Sequence, residues 1–175
     1  MELSPPTVGG VCVDRIEVTT DAFDEAREFV WQQCEAGQSD EGTDPQLPVA
    51  FVSECEARAY CESRSKRLCT LNEWRQACNR MNVAPKSACN VGKGSFGVQA
   101  ASTTCVNTEG IADLVGNLWE WVCDGSACAV VGGDASQSGE KVAELCGLLD
   151  SGFAGSIGEA NYVGFRCCVG PVPPP

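Results

Sequence analysis

Asp113 and Glu120 flank Gly116 and Asn117 in the stretch DLVGNLWEWV (113–122), which also carries Trp119 and Trp121. Two carboxylates and a glycine turn inside the most aromatic segment of a chain pose a physical problem. If the segment is core, each carboxylate needs a metal ion or a charged partner, because unpaired buried charge is costly. If it is a solvated loop, the two indoles have nothing to cover them. Hard oxygen donors of this kind suit a hard cation, while an N-cap aspartate and a salt-bridged glutamate form the plainer alternative.

Cysteine is the other residue with chemistry to offer. The chain has 13 cysteines and no histidine. Zinc sites use closely spaced cysteine pairs or cysteine with histidine, and no C-x-x-C occurs here. The closest spacings are the adjacent Cys167 and Cys168, then Cys123 and Cys128. Cysteines scattered from Cys12 to Cys168 read as a disulfide framework made in an oxidising compartment: extracellular, periplasmic or at a cell surface. An odd count leaves at least one thiol unpaired within the chain.

The elements that must hold these residues fit one domain. A chain of 175 residues is long enough to bury a core, and 43% apolar content is that of a globular protein. The net charge of −12 argues against nucleic acid and anionic membrane surfaces as partners. No run of 18 apolar residues is present, so no membrane insertion is expected. Met1 leads straight into ELSPPTVGG without a signal peptide, which reads as a mature form or an excised domain. The single domain is expected over 1–175, with its core at about 10–170 and a Pro-rich tail at 171–175.

VCVDRIEV (11–18) alternates like a strand. TTDAFDEAREFVWQQC (19–34) has helical spacing at Phe23, Ala26, Val30 and Cys34, and LPVAFVS (47–53) reads as a short buried strand. Ser53 with Glu56, and Thr70 with Glu73, are two capping boxes, opening helices to about Arg64 and about Met81. The second carries Trp74, Ala77, Cys78 and Met81 on one face. Residues 83–112 and 124–160 are irregular, and YVGFRCCV closes the chain as a strand. GKGSFG (92–97) matches G-x-G-x-x-G but lacks the preceding strand and following helix of a dinucleotide site, so it reads as a turn.

Three segments in order resemble the sulfatase-modifying-factor domain, the family of formylglycine-generating enzymes: PVAFVSECEARAYCESRSKRLCTLNEWRQAC (48–78), GIADLVGNLWEWVCD (110–124) and VGFRCC (163–168). The resemblance implies an α+β, C-type-lectin-like fold, disulfide-rich, with two main helices, small twisted antiparallel sheets and long loops. It implies that the N-terminal strand pairs with the VGFRCC strand. It also implies a calcium ion held by the side chains of Asp113 and Glu120 and the carbonyls of Gly116 and Leu118. Extended backbone would send residues 116, 118 and 120 to one side and the two tryptophans to the other. Asn90 and Val91 match the first two ligand positions of a second calcium site, whose partner aspartate has no clear counterpart before Gly110. Two disulfides are implied, Cys61–Cys167 and Cys78–Cys146. Proximity suggests Cys55–Cys69, Cys89–Cys105 and Cys123–Cys128, the paired terminal strands suggest Cys12–Cys168, and Cys34 is left over.

Active members of the family carry R-G-G-S followed by two cysteines that bind copper(I). Here the counterpart is Val131-Gly132-Gly133-Asp134, with Gln137 and about Val142 where the thiolates would stand. Two soft thiolates are needed to hold one copper(I) ion, so copper is not expected. The reading is a non-catalytic binding or structural module. Its protein, peptide or glycan ligand would sit on the 84–109 and 125–160 loops, near Asp134, Phe153 and Tyr162. The competing reading is a copper-dependent oxidase of cysteine to formylglycine, using Cys123 and Cys128 instead.

Overall fold

The computed structural model describes residues 7–34, 44–83, 86–92, 97–137, 142–150 and 162–170. Two four-stranded sheets carry the frame. In the first, β1 (Thr7–Val8), β2 (Val11–Val13), β8 (Cys167–Val169) and β3 (Arg67–Leu68) lie in that order. In the second the order is β6 (Leu149–Asp150), β5 (Ala127–Val131), β4 (Trp119–Asp124) and β7 (Val163–Phe165). The terminal strands pair as expected, Val13 opposite Cys168. The β4–β7 pair is parallel, so the second sheet is mixed rather than antiparallel throughout.

The final strand divides in two. β7 belongs to one sheet and β8 to the other, and buried Arg166 stands at the switch between them. The expected strand at 47–53 does not form. Phe51 takes φ 59°, which breaks the pleat, and the segment makes isolated bonds, Val49 N–H to the Val18 carbonyl and Val52 N–H to the Val163 carbonyl. The helix expected over 19–34 is interrupted. α1 (Thr20–Asp24) and α2 (Arg27–Gln33) are separated where the Ala26 N–H turns back to the Phe23 carbonyl, three residues earlier.

Both capping boxes are present, with Ser53 opening α3 (Glu54–Ser63) and Thr70 opening α4 (Leu71–Cys78). The α4 chain continues as a 3-10 turn over Asn79–Val83, and a short helix, α5, spans Val142–Leu145. In β4 the side chains alternate between two packed cores. Trp121 and Cys123 enter the one built on Phe23, Tyr60 and Phe165, while Val122 enters the one built on Trp74, Met81 and Leu114.

Six disulfides take twelve of the thirteen cysteines. Cys61–Cys167, Cys78–Cys146, Cys89–Cys105 and Cys123–Cys128 fall where the sequence reading placed them. Three assignments are corrected: Cys34 bonds to Cys55, Cys69 to Cys168, and Cys12 is free. The reason lies in β8. Adjacent strand residues face opposite ways, so Cys167 reaches Cys61 in one core while Cys168 reaches Cys69 in the other. The last strand is thereby stitched on both faces.

Candidate functional site

The segment 113–118 is a coil of turns rather than extended chain. Asp113, Gly116 and Asn117 have φ of 54°, 74° and 63°. Gly116 is required here, because a Cβ would stand 2.4 Å from the Asn90 carbonyl oxygen and 2.2 Å from Val91 Cγ1. The two segments read as separate calcium positions therefore touch. The Asn117 N–H donates to the Asn90 carbonyl, and Asn90 Nδ2 donates to Asn117 Oδ1 at 2.9 Å.

The four residues of the first predicted site are all buried, but their side chains have different partners. Glu120 is gripped by Arg166, whose Nε donates to Oε2 at 2.7 Å and whose Nη2 donates to Oε1 at 2.6 Å. The Trp74 indole N–H adds a third bond to Oε2 at 2.9 Å. Arg166 also donates to the carbonyls of Asp14 and Ala112, tying β2, the 112 turn and β4 together. Asp113 lies closer to the surface of this cluster, its Oδ2 accepting the Ser102 N–H at 2.6 Å.

Glu17 completes the cluster, and the sequence reading did not find it. It is buried, accepts from Asn117 Nδ2 at 2.6 Å, and its Oε1 has no hydrogen-bond partner. The Asn90 side-chain oxygen is likewise buried without a partner. Burial, with Glu120 close by, holds the Glu17 carboxyl well above the ordinary carboxylate range, against the pull of Arg166. Burial raises Asp113 too, opposed by the Ser102 N–H and by Arg166. Three carboxylates thus share one guanidinium, and two buried oxygens point at nothing. In charge and in chemistry this donor set fits a hard cation. A signal for the Glu120–Arg166 pair was present in the sequence: a lone arginine in VGFRCCV and a lone glutamate in LWEWV each need a partner when buried.

The Gly-Gly loop borders the cluster. Gly132 and Gly133 have φ of 88° and 74°, and a Cβ on Gly132 would meet the Leu114 carbonyl at 2.9 Å and Trp74 at 3.0 Å. Gly116 N–H donates to the Gly132 carbonyl. Asp134 is buried and accepts from the Ser136 N–H and hydroxyl at its Oδ1. Gln137 packs its side chain against Gly133. Cys146, further along, is bridged to Cys78. Of the other two ligand-loop residues, Tyr162 is half-buried beside Phe51, with ring centroids 6.2 Å apart, and Phe153 lies outside the described residues. Cys123 and Cys128 are bridged to each other, not open as a thiolate pair.

Among solved structures the chain is similar to CarF, at a TM-score of 0.62 and 18% identity over 90% of this chain and 85% of that one. It is also similar to Treponema denticola variable protein 1, at a TM-score of 0.63 and 17% identity over 92% and 84%. These likenesses identify the C-type-lectin-like fold. Among curated proteins, the inactive C-alpha-formylglycine-generating enzyme 2 of Bos taurus is 27% identical over 74% of this chain and 52% of its own length. The formylglycine-generating enzyme of Bos taurus is 28% identical over 54% and 31%. The chain thus spans about half or less of the length of these relatives. The sulfatase-modifying factor enzyme 1-like domain matches residues 7–170, and the chain belongs to that family.

Proposed function

We propose that this chain is a non-catalytic member of its family, a calcium-braced and disulfide-stapled module that presents a ligand surface on its irregular loops. The observation that carries the reading is the state of the cysteines. Six bridges leave Cys12 as the one free thiol, so the oxidised protein has no pair of thiolates to hold copper(I). The resemblance to a relative named as inactive supports the same conclusion. The six bridges also fit an oxidising compartment, and among the described residues no helix is long and apolar enough to cross a membrane.

Calcium would be held through Asp113 and the carbonyls of Gly116 and Leu118, with Glu120 shared with Arg166, and with Glu17 and Asn90 at hand as further oxygens. The ion would supply positive charge that Arg166 alone does not provide. The chain's own residues do the rest: Trp74 and Arg166 fix the glutamate, and Gly116 lets the Asn90 segment close against the turn. The segments at 84–109 and 125–160, the second of which carries β5, α5 and β6 rather than running as loop throughout, are then tied by the Cys89–Cys105 and Cys78–Cys146 bridges and by the cluster. A protein, peptide or glycan would bind there, since recognition on this kind of frame belongs to loops.

The test is thermal unfolding of the purified chain in chelator and in calcium, with copper(I) binding measured against a competing chelating dye. A ligand present at about 100 times its Kd stabilises the fold by about 2.7 kcal/mol, or roughly 5–11 °C for a domain of this size. The reading expects such a shift with calcium and no tight copper(I) binding. A melting temperature indifferent to calcium would remove the ion from the account, and stoichiometric copper(I) binding would remove the non-catalytic assignment.

A further inference from the structure

Of the six bridges, Cys123–Cys128 differs in kind from the rest. The others join separate elements or hold a turn of coil, at sequence separations of 16 to 106. Cys123 and Cys128 are direct cross-strand partners in the β4–β5 hairpin, five residues apart, in strands that the sheet ladder already pairs. Closing so short a loop removes the least chain entropy of any bridge in the molecule, and opening it severs no link between elements. It stands beside an exposed tip, residues 124–127, with Cys128 half-buried and Cys123 buried. From α3, Arg58 Nη2 donates to the Cys128 sulfur at 2.9 Å and to the Gly125 carbonyl at 2.6 Å, while its Nε pairs with Glu54.

We propose that Cys123–Cys128 is a reversible redox site that exchanges with dithiols, with Arg58 as the residue that positions and stabilises its thiolate. One thiolate of the reductant attacks Cys128 Sγ, the more accessible sulfur. The Sγ–Sγ bond breaks, its electron pair leaves on Cys123 Sγ, and Cys123 takes up a proton. The reductant's second thiolate then attacks its own sulfur attached to Cys128, closing the reductant's disulfide. The electron pair now leaves on Cys128 Sγ, beside the Arg58 guanidinium. Two electrons pass from the dithiol to the bridge. Of the dithiol's two protons, one ends on Cys123 and the other passes to Cys128 or to solvent. A cation next to a sulfur lowers its thiol pKa and improves it as a leaving group.

The comparison within the molecule is Cys34–Cys55, in which Cys55 is exposed, more so than Cys128. There Cys55 Sγ lies 3.9 Å from the Gln33 carbonyl oxygen, which does nothing to stabilise a thiolate. The remaining four bridges are buried at both sulfurs.

The experiment is a titration of the native, oxidised chain with dithiothreitol. Aliquots are quenched with one alkylating reagent, reduced fully, labelled with an isotopic partner reagent, and mapped by mass spectrometry. Cys123 and Cys128 should become labelled together, at about a tenfold lower dithiothreitol concentration than Cys34 and Cys55, with the circular dichroism spectrum unchanged. Arg58→Gln should slow release of Cys128 from the mixed disulfide, and with it complete reduction of this bridge, about tenfold and leave the rate at Cys34–Cys55 as it was, while Arg58→Lys restores most of it. Opening of Cys123–Cys128 only alongside the other bridges, or only in denaturant, would overturn the proposal. An Arg58→Gln protein that exchanges as fast as the parent would overturn the role of the arginine.

Discussion

Arg166→Met is the substitution to which this fold should respond most sharply, and its cost can be worked from the cluster it would disturb. The guanidinium makes two bonds to Glu120 and one each to the Asp14 and Ala112 carbonyls, all within a closed interior. Removing one partner of a buried ion pair costs about 3–5 kcal/mol, because the other charge stays behind without compensation. Here Glu120 stays behind without its partner, beside Glu17 and Asp113, whose carboxyls burial already raises. Glu120→Gln leaves a gentler situation, since the amide still offers an oxygen to Trp74 and Arg166 keeps Glu17 and Asp113 as counter-charges. The account therefore predicts an asymmetry, with Arg166→Met losing about 3–5 kcal/mol and Glu120→Gln clearly less. Urea unfolding of the oxidised proteins in chelator measures this. With a slope of about 2 kcal/mol per molar, the Arg166→Met midpoint should fall by roughly 2 M with the slope unchanged. The double variant should lose less than the two singles added together. Equal losses in the two singles, strict additivity, or a loss under about 1 kcal/mol for Arg166→Met would refute the reasoning.

Asp113→Ala should abolish most of the calcium-dependent rise in melting temperature, read by differential scanning fluorimetry with and without chelator, while leaving the disulfide map intact. Replacing Cys61 and Cys167 together by serine should remove roughly 4–5 kcal/mol, because that bridge closes a separation of 106 residues, and denaturant melts would report it. Glu73 supplies the acid limb of the stability profile. Burial pushes its carboxyl up, but bonds from Arg67 and from the Thr70 N–H outweigh this and hold it below the usual carboxylate range. Its contribution is fully present above the unfolded value of about 4.3 and is lost as pH falls through the lower folded value, so Glu73→Gln should flatten stability against pH below about 4.5.

Local chemistry was legible wherever one residue's side chain determines the outcome for its own neighbourhood. Ser53 with Glu56 and Thr70 with Glu73 form the expected boxes, because a cap needs nothing beyond three residues. Alternation in β4 sent Trp121 and Val122 into opposite cores as a strand must. What could not be read were relations between distant residues. Cys12, Cys34, Cys55 and Cys69 were misassigned because alternation says that Cys167 and Cys168 face opposite ways but not which cysteines wait on each side. Glu17 went unnoticed because it looks like the polar half of an alternating strand, VCVDRIEV, whereas the strand stops at Val13 and the chain beyond it turns Glu17 inward and Ile16 out. Extended chain was expected from Gly116 to Glu120, yet positive φ at Gly116 and Asn117, after that at Asp113, turns its start into a coil around the Asn90 segment.

The central claim is that this family member does not perform the oxidation its active relatives are named for. The direct measurement incubates the intact chain with copper(I), oxygen and a C-x-P-x-R peptide, and follows the peptide by mass spectrometry for conversion of cysteine to formylglycine. The account predicts an unchanged peptide, because every cysteine but Cys12 is bridged and the chain carries Gln137 and about Val142 where thiolates would be needed. Formylglycine appearing in the peptide, and disappearing when Cys123 or Cys128 is changed to Ser, would contradict it and place a working copper site in the β4–β5 hairpin.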